Sequence, residues 1–138
     1  MAEYTGDAYK NSFLRQRFKT NILIVDDSAT MRKIVARSLR EAGLAIGDLY
    51  EAGNGIEGLA VLATDKEIHL ILSDVNMPEM DGVDFVKAVR SKGIKTPIVM
   101  ITPETEDVLN QAFANGALTS IKKPFTAEQL NQKLGGLF

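Results

Sequence analysis

Short runs of aliphatic and β-branched residues alternate along this chain with segments of helical period, and few architectures accommodate that alternation. The runs predict strands over Asn21–Val25, Asp48–Ala52, His69–Ser73, Pro97–Ile101 and Ser120–Lys122. Between them, Thr30–Ala42 carries Ile34, Val35, Leu39 and Ala42 at helical spacing and stops before Gly43, a common residue just past a helix end. The same periodicity predicts helices over Gly55–Ala63, Val83–Val89, Thr105–Asn115 and Ala127–Leu134. Strands that are apolar throughout must be covered on both faces, which favours a parallel sheet over an antiparallel one with a wet side. With right-handed crossovers, the expected fold is a doubly wound α/β sandwich of five strands and five helices.

At 138 residues and 45% hydrophobic content, the chain has material for one domain and its core, and none for a second. A net charge of −2 lacks the basic excess of many nucleic-acid-binding domains, so no nucleic acid partner is expected. Without cysteine, neither a disulfide nor a thiolate site is available. No apolar run reaches the roughly 20 residues of a membrane span, and the polar start is unlike a signal peptide. The expected location is cytoplasmic. Residues 1–19 precede the first βα unit and form an N-terminal arm, with the domain proper over 20–138. Phe13, Leu14 and Phe18 give the arm a short apolar stripe; docking of that stripe and an unstructured terminus are both open.

Chemistry concentrates where strands end. Asp26 and Asp27 follow the first run, Asp74 the third, Thr102 the fourth and Lys123 the fifth. In an open parallel sheet the loops at the carboxyl ends of the strands line one crevice, so these distant residues would share a pocket. Carboxylates brought that close repel unless a cation sits among them, and Mg²⁺ takes oxygen ligands of this kind. Asp27 and Asp74 fit as ligands, with Asp26 on a metal-bound water and the Asn76 carbonyl as a further oxygen. An aspartate beside a metal can also accept a phosphoryl group, and Asp74 opens the loop in which Pro78 and Gly82 set turn geometry. Thr102 could donate to a phosphoryl oxygen, and Lys123 could balance its charge. Each residue alone has a plainer role: Asp26, Asp27 or Ser28 as a helix cap, Thr102 in a turn, Lys123 as a solvated surface cation. His69, the only histidine, falls in the third predicted strand and reads as structural.

Taken together, Val25-Asp26-Asp27-Ser28, Ser73-Asp74-Val75-Asn76-Met77-Pro78, Met80-Asp81-Gly82, Thr102 and Lys123-Pro124-Phe125 resemble the receiver domain of two-component response regulators, over about Thr20 to Leu134. The resemblance implies the flavodoxin-like, CheY-like strand order 2-1-3-4-5. It implies phosphorylation of Asp74 by a histidine kinase, with Mg²⁺ held by Asp26, Asp27, Asp74 and the Asn76 carbonyl. Thr102 and Lys123 would sense the phosphoryl group, and the Lys123–Pro124 bond is expected to be cis. No effector domain follows in this sequence, so the expected form is a stand-alone CheY-like response regulator. It would be a regulatory phosphoacceptor with intrinsic autophosphorylation and autodephosphorylation rather than a metabolic enzyme. Its output would be a downstream protein, the flagellar motor switch or another effector, read through the face of the fourth helix, fifth strand and fifth helix. The segment Asp27–Arg32 also resembles the first-helix start of chemotaxis regulators. Asn76 and Glu104 occupy the two positions that influence dephosphorylation in the family, and a phosphatase is a further expected partner.

Two positions depart from the family pattern. Pro103 follows Thr102 where receivers generally have a small residue whose N–H contacts the phosphoryl group, and proline has none. Ser120 stands where many receivers place an aromatic that turns inward on activation. Three other readings stay open: a phosphorelay intermediate, a pseudo-receiver that only binds partners, and a hydrolase of the haloacid-dehalogenase type. The last needs a second acid two residues after the nucleophile, where this chain has Asn76.

Overall fold

A computed structural model describes residues 19–103 and 106–138, the Glu106 side chain excepted. The strands are β1 (Thr20–Val25), β2 (Ile46–Ala52), β3 (Leu70–Ser73), β4 (Ile98–Thr102) and β5 (Thr119–Lys122). They alternate with helices α1 (Ala29–Glu41), α2 (Gly55–Leu62), α3 (Gly82–Ser91), α4 (Glu106–Ala114) and α5 (Ala127–Leu134). All strand pairs are parallel, in the order β2-β1-β3-β4-β5, which is the expected topology.

Period-two alternation splits the core. Leu23, Val25, Ile71, Ile98 and Met100 point to one face, where Val83, Phe85, Val86 and Val89 of α3 and Ala112 of α4 cover them. Ile22, Ile24, Leu70, Leu72, Val99, Ile101 and Ile121 point to the other, under Val35 and Leu39 of α1 and Leu130 and Leu134 of α5. Both side-chain sets of β1, β3 and β4 are therefore buried, and polar groups are displaced to the strand ends.

Helix starts follow local sequence chemistry. Ser28, Asn54 and Asp81 each accept the backbone N–H three residues on, and Thr126 with Gln129 forms a reciprocal capping box. The Ser28 cap bears out the plainer reading of that residue. Helix α1 ends at Glu41, and Gly43 takes the left-handed turn with φ +76°.

Boundaries differ from expectation by a few residues. Strand β2 begins at Ile46 rather than Asp48, and α3 extends to Ser91. His69 lies just before β3, not within it. Its backbone N–H donates to the Asn21 carbonyl, and its Nδ1 accepts from the Asn21 N–H at 2.9 Å, so its role is structural as expected. The arm up to residue 18, Glu104 and Thr105 lie outside the described residues.

Candidate functional site: an acidic crevice at the carboxyl ends of the strands

Strands β1, β3 and β4 end side by side, with Val25 in register with Ser73 and Ser73 with Met100. The residues that follow Val25 and Ser73, Asp26 and Asp74, enter the crevice, and β4 runs two residues past Met100 to Thr102. Asp26 continues the ladder by donating its N–H to the Ala52 carbonyl, and the Asp74 N–H donates to the Val25 carbonyl. One oxygen from each of Asp26, Asp27 and Asp74 can be chosen so that all lie within 4.8 Å of one another. Asp26 and Asp74 are buried, while Asp27 is exposed.

From the far side, Lys123 reaches in from the end of β5. Its Nζ lies 3.0 Å from Asp26 Oδ2 and 3.3 Å from Asp74 Oδ2. Its backbone N–H donates to the Thr102 carbonyl, and the Lys123–Pro124 bond is cis, as expected. Thr102 is the last residue of β4 and is buried. Asn76 lies on the exposed part of the loop two residues beyond Asp74.

Asp74 is held on several sides. Its Oδ1 accepts the Val75 N–H at 2.7 Å, and its carbonyl accepts the Ser73 hydroxyl at 2.9 Å. The loop after it folds back tightly: the Gly82 N–H donates to the Val75 carbonyl, and a Cβ at Gly82 would stand 2.1 Å from the Asp74 carbonyl oxygen. Only glycine permits that approach. Burial is the largest influence on the Asp74 carboxyl and pushes its pKa above the ordinary carboxylate value; Lys123 and the Val75 N–H pull it back, and the Asp26 charge raises it again.

The donor set fits a hard divalent cation. Three carboxylates and a main-chain loop supply oxygens, whereas one ammonium already bridges two of the acids and leaves the Asp27 side open. Two residues that sequence reasoning passed over also belong here. Arg32, on the first turn of α1, donates from Nη1 to the Asp26 carbonyl and pairs through Nε with Glu51 of β2. Arg32 lay inside a motif already noted, but nothing in a linear sequence shows that its partner is an acid on a neighbouring strand.

The profile of the response regulator receiver domain matches residues 22–135. The chain belongs to that family, and within it the chain is CheY-like. It is 40% identical over 117 residues to the chemotaxis protein CheY1 of Helicobacter pylori, covering 82% of this chain and 92% of that protein. A CheY homolog of Campylobacter jejuni is 38% identical over 117 residues, covering 82% of this chain and 88% of its own length. The solved chemotaxis response regulator CheY4 of Vibrio cholerae superposes with a TM-score of 0.76 at 36% identity, covering 88% of this chain and all of that one. Among the described residues no helix is long and apolar enough to cross a membrane.

Proposed function

We propose that the chain is a cytoplasmic response regulator of chemotaxis or motility that is phosphorylated on Asp74. The observation that carries this reading is the convergence of Asp26, Asp27 and Asp74 within ligand distance of one another, with Lys123 bonded to two of them. Asp26, Asp27, Asp74 and the Asn76 carbonyl would hold Mg²⁺, which when bound supplies charge neutralisation and in-line orientation for phosphoryl transfer.

The chain's own residues supply the rest. The Asp74 Oδ1–Val75 contact fixes the rotation of the carboxylate, leaving Oδ2 facing Lys123 as the attacking oxygen. That oxygen forms a bond to phosphorus as the P–N bond of the kinase phosphohistidine breaks, and the imidazole leaves with the electron pair. Lys123 then exchanges its carboxylate partner for a phosphoryl oxygen, and Thr102 donates its hydroxyl to another. Both residues sit at the ends of β4 and β5, so their movement is coupled to the face of α4, β5 and α5 that a downstream protein would read. CheY-named relatives favour chemotaxis over the other motility and relay systems. Asp74, Asp27 and Lys123 together favour a working switch over a pseudo-receiver.

Intact-protein mass spectrometry after incubation with acetyl phosphate tests the reading. One Mg²⁺-dependent phosphoryl adduct on the wild-type chain, absent from Asp74→Asn, is expected. An adduct that persists in Asp74→Asn, or none under any condition, would overturn it.

A further inference from the structure

We infer that Arg32 is a positioning residue of the metal site, its guanidinium clamping the peptide plane from which the Asp26 and Asp27 carboxylates project. The inference rests on the metal-binding reading above and adds to it a residue outside the ligand set.

The geometry is a bridge. Arg32 rises from the first turn of α1, crosses the turn of residues 26–28 and meets Glu51 on the edge strand β2, with Nε 2.7 Å from Glu51 Oε1. From the same guanidinium, Nη1 donates to the Asp26 carbonyl at 2.5 Å. That carbonyl belongs to the peptide joining Asp26 to Asp27, so fixing it fixes the ψ of the first acid and restricts the φ of the second. Other bonds hold the two ends of this turn: the Asp26 N–H on the Ala52 carbonyl, the Ser28 N–H on Asp26 Oδ1, and the Arg32 N–H on the Ser28 carbonyl. Arg32 supplies the bond to the plane between them. The Arg32 side chain is 17% exposed and that of Glu51 50%, so the guanidinium lies against the protein at the Asp26 carbonyl while the Glu51 end of the bridge is open to solvent.

Coulomb forces act the other way. A guanidinium beside a dication lowers its affinity, so a purely electrostatic role predicts tighter metal binding when Arg32 is removed. A positioning role predicts weaker binding, because two ligands gain freedom that must be lost again on coordination. Lysine separates these cases. It keeps the charge, but a single ammonium cannot reproduce the planar fork that serves Glu51 and the carbonyl in two directions.

The test is titration of the full chain with Mn²⁺ in place of Mg²⁺, reading free Mn²⁺ by electron paramagnetic resonance, with metal-free thermal unfolding measured alongside. Arg32→Lys is expected to weaken Mn²⁺ binding on the order of tenfold. Glu51→Gln, which retains an acceptor for Nε, should weaken it by less. Unchanged affinity in Arg32→Lys, whatever its Tm, would reduce Arg32 to a helix-to-strand anchor and overturn the inference alone. Tighter binding in Arg32→Gln would do the same by showing that repulsion dominates. Failure of the wild-type chain to bind Mn²⁺ would overturn the metal reading and this inference with it.

Discussion

The two ends of the sheet carry polar groups of opposite character. At the amino end, Asn21 is fully employed: its Nδ2 donates to the Glu67 carbonyl at 3.0 Å, its Oδ1 accepts the Asp48 N–H at 2.8 Å, and its N–H donates to His69. Arg90 nearby donates to the carbonyls of Ile94, Thr96 and Gly116. These contacts join loops to strands and leave little charge unsatisfied. At the carboxyl end, three acids converge while one ammonium pairs with only two of them, and burial works against the ionised form of Asp74. One end is built for stability and the other departs from it where chemistry is wanted.

Asp74→Asn tests that contrast with the largest effect. It should abolish the phosphoryl adduct while raising metal-free stability by about 1 kcal/mol, because it removes a buried like charge. A drop in Tm by calorimetry would show that the Lys123 contact outweighs the repulsion. Next in size, Lys123→Met should cost about 2 to 3 kcal/mol by leaving Asp26 and Asp74 facing each other without a cation. Mg²⁺ should restore most of that loss, since it substitutes for the missing charge. Asn21→Ala at the other end should cost about 1 kcal/mol through the loss of its two side-chain hydrogen bonds to exposed main-chain groups, and Mg²⁺ should restore none of the loss beyond the shift seen in the wild type. Equal rescue of both variants in denaturant unfolding would erase the distinction between the two ends.

The pH dependence is a smaller effect and has a definite sign. With its pKa raised in the fold, Asp74 binds a proton over a window just above the ordinary carboxylate range, where the unfolded chain has already released it. Its contribution to metal-free stability is therefore favourable below that window and lost as pH rises through it. Acceptor reactivity runs oppositely, since only the carboxylate attacks phosphorus. Titration of the Asp74 carboxyl carbon by NMR without Mg²⁺ should show a midpoint above that of an exposed aspartate. A midpoint at or below the ordinary value would mean that Lys123 dominates.

How much of this was legible in the sequence follows from what each interaction depends on. Runs such as Ile22–Val25 show strand character because β-branched and aliphatic residues recur locally, and their alternate burial on two faces follows from strand geometry. Asp26, Asp27, Asp74, Thr102 and Lys123 were legible because strand ends in a parallel sheet converge. Arg32 and Glu51 were not, since their contact depends on how far α1 sits above β2. The sequence pattern puts His69 in the third strand, whereas β3 begins at Leu70 and the His69 ring accepts the Asn21 N–H, a contact across 48 residues that no local pattern carries.

The loop carrying Asp74 holds one further departure from local preference. Glu79 adopts φ +67°, a left-handed conformation in which the Cβ of an L residue crowds the following carbonyl oxygen and which is ordinarily taken by glycine or asparagine. Two neighbours impose it: the Met80 N–H donates to the Pro78 carbonyl at 2.7 Å, and the Met80 carbonyl accepts the Gly55 N–H at 3.1 Å, tying the loop to the start of α2. The Met80 side chain lies so close to Gly55 that a Cβ there would stand 2.6 Å from it. The backbone is thus set by contacts on either side, and the Glu79 side chain, exposed to solvent, does not choose it. Glu79→Asn should therefore raise stability by about 0.5 kcal/mol with the loop path unchanged. Glycine should give less, because it also loosens the unfolded chain. If Glu79→Asn instead lowers Tm in the metal-free protein, the loop is not held from its two ends and the carboxyl rim is less rigid than its geometry implies.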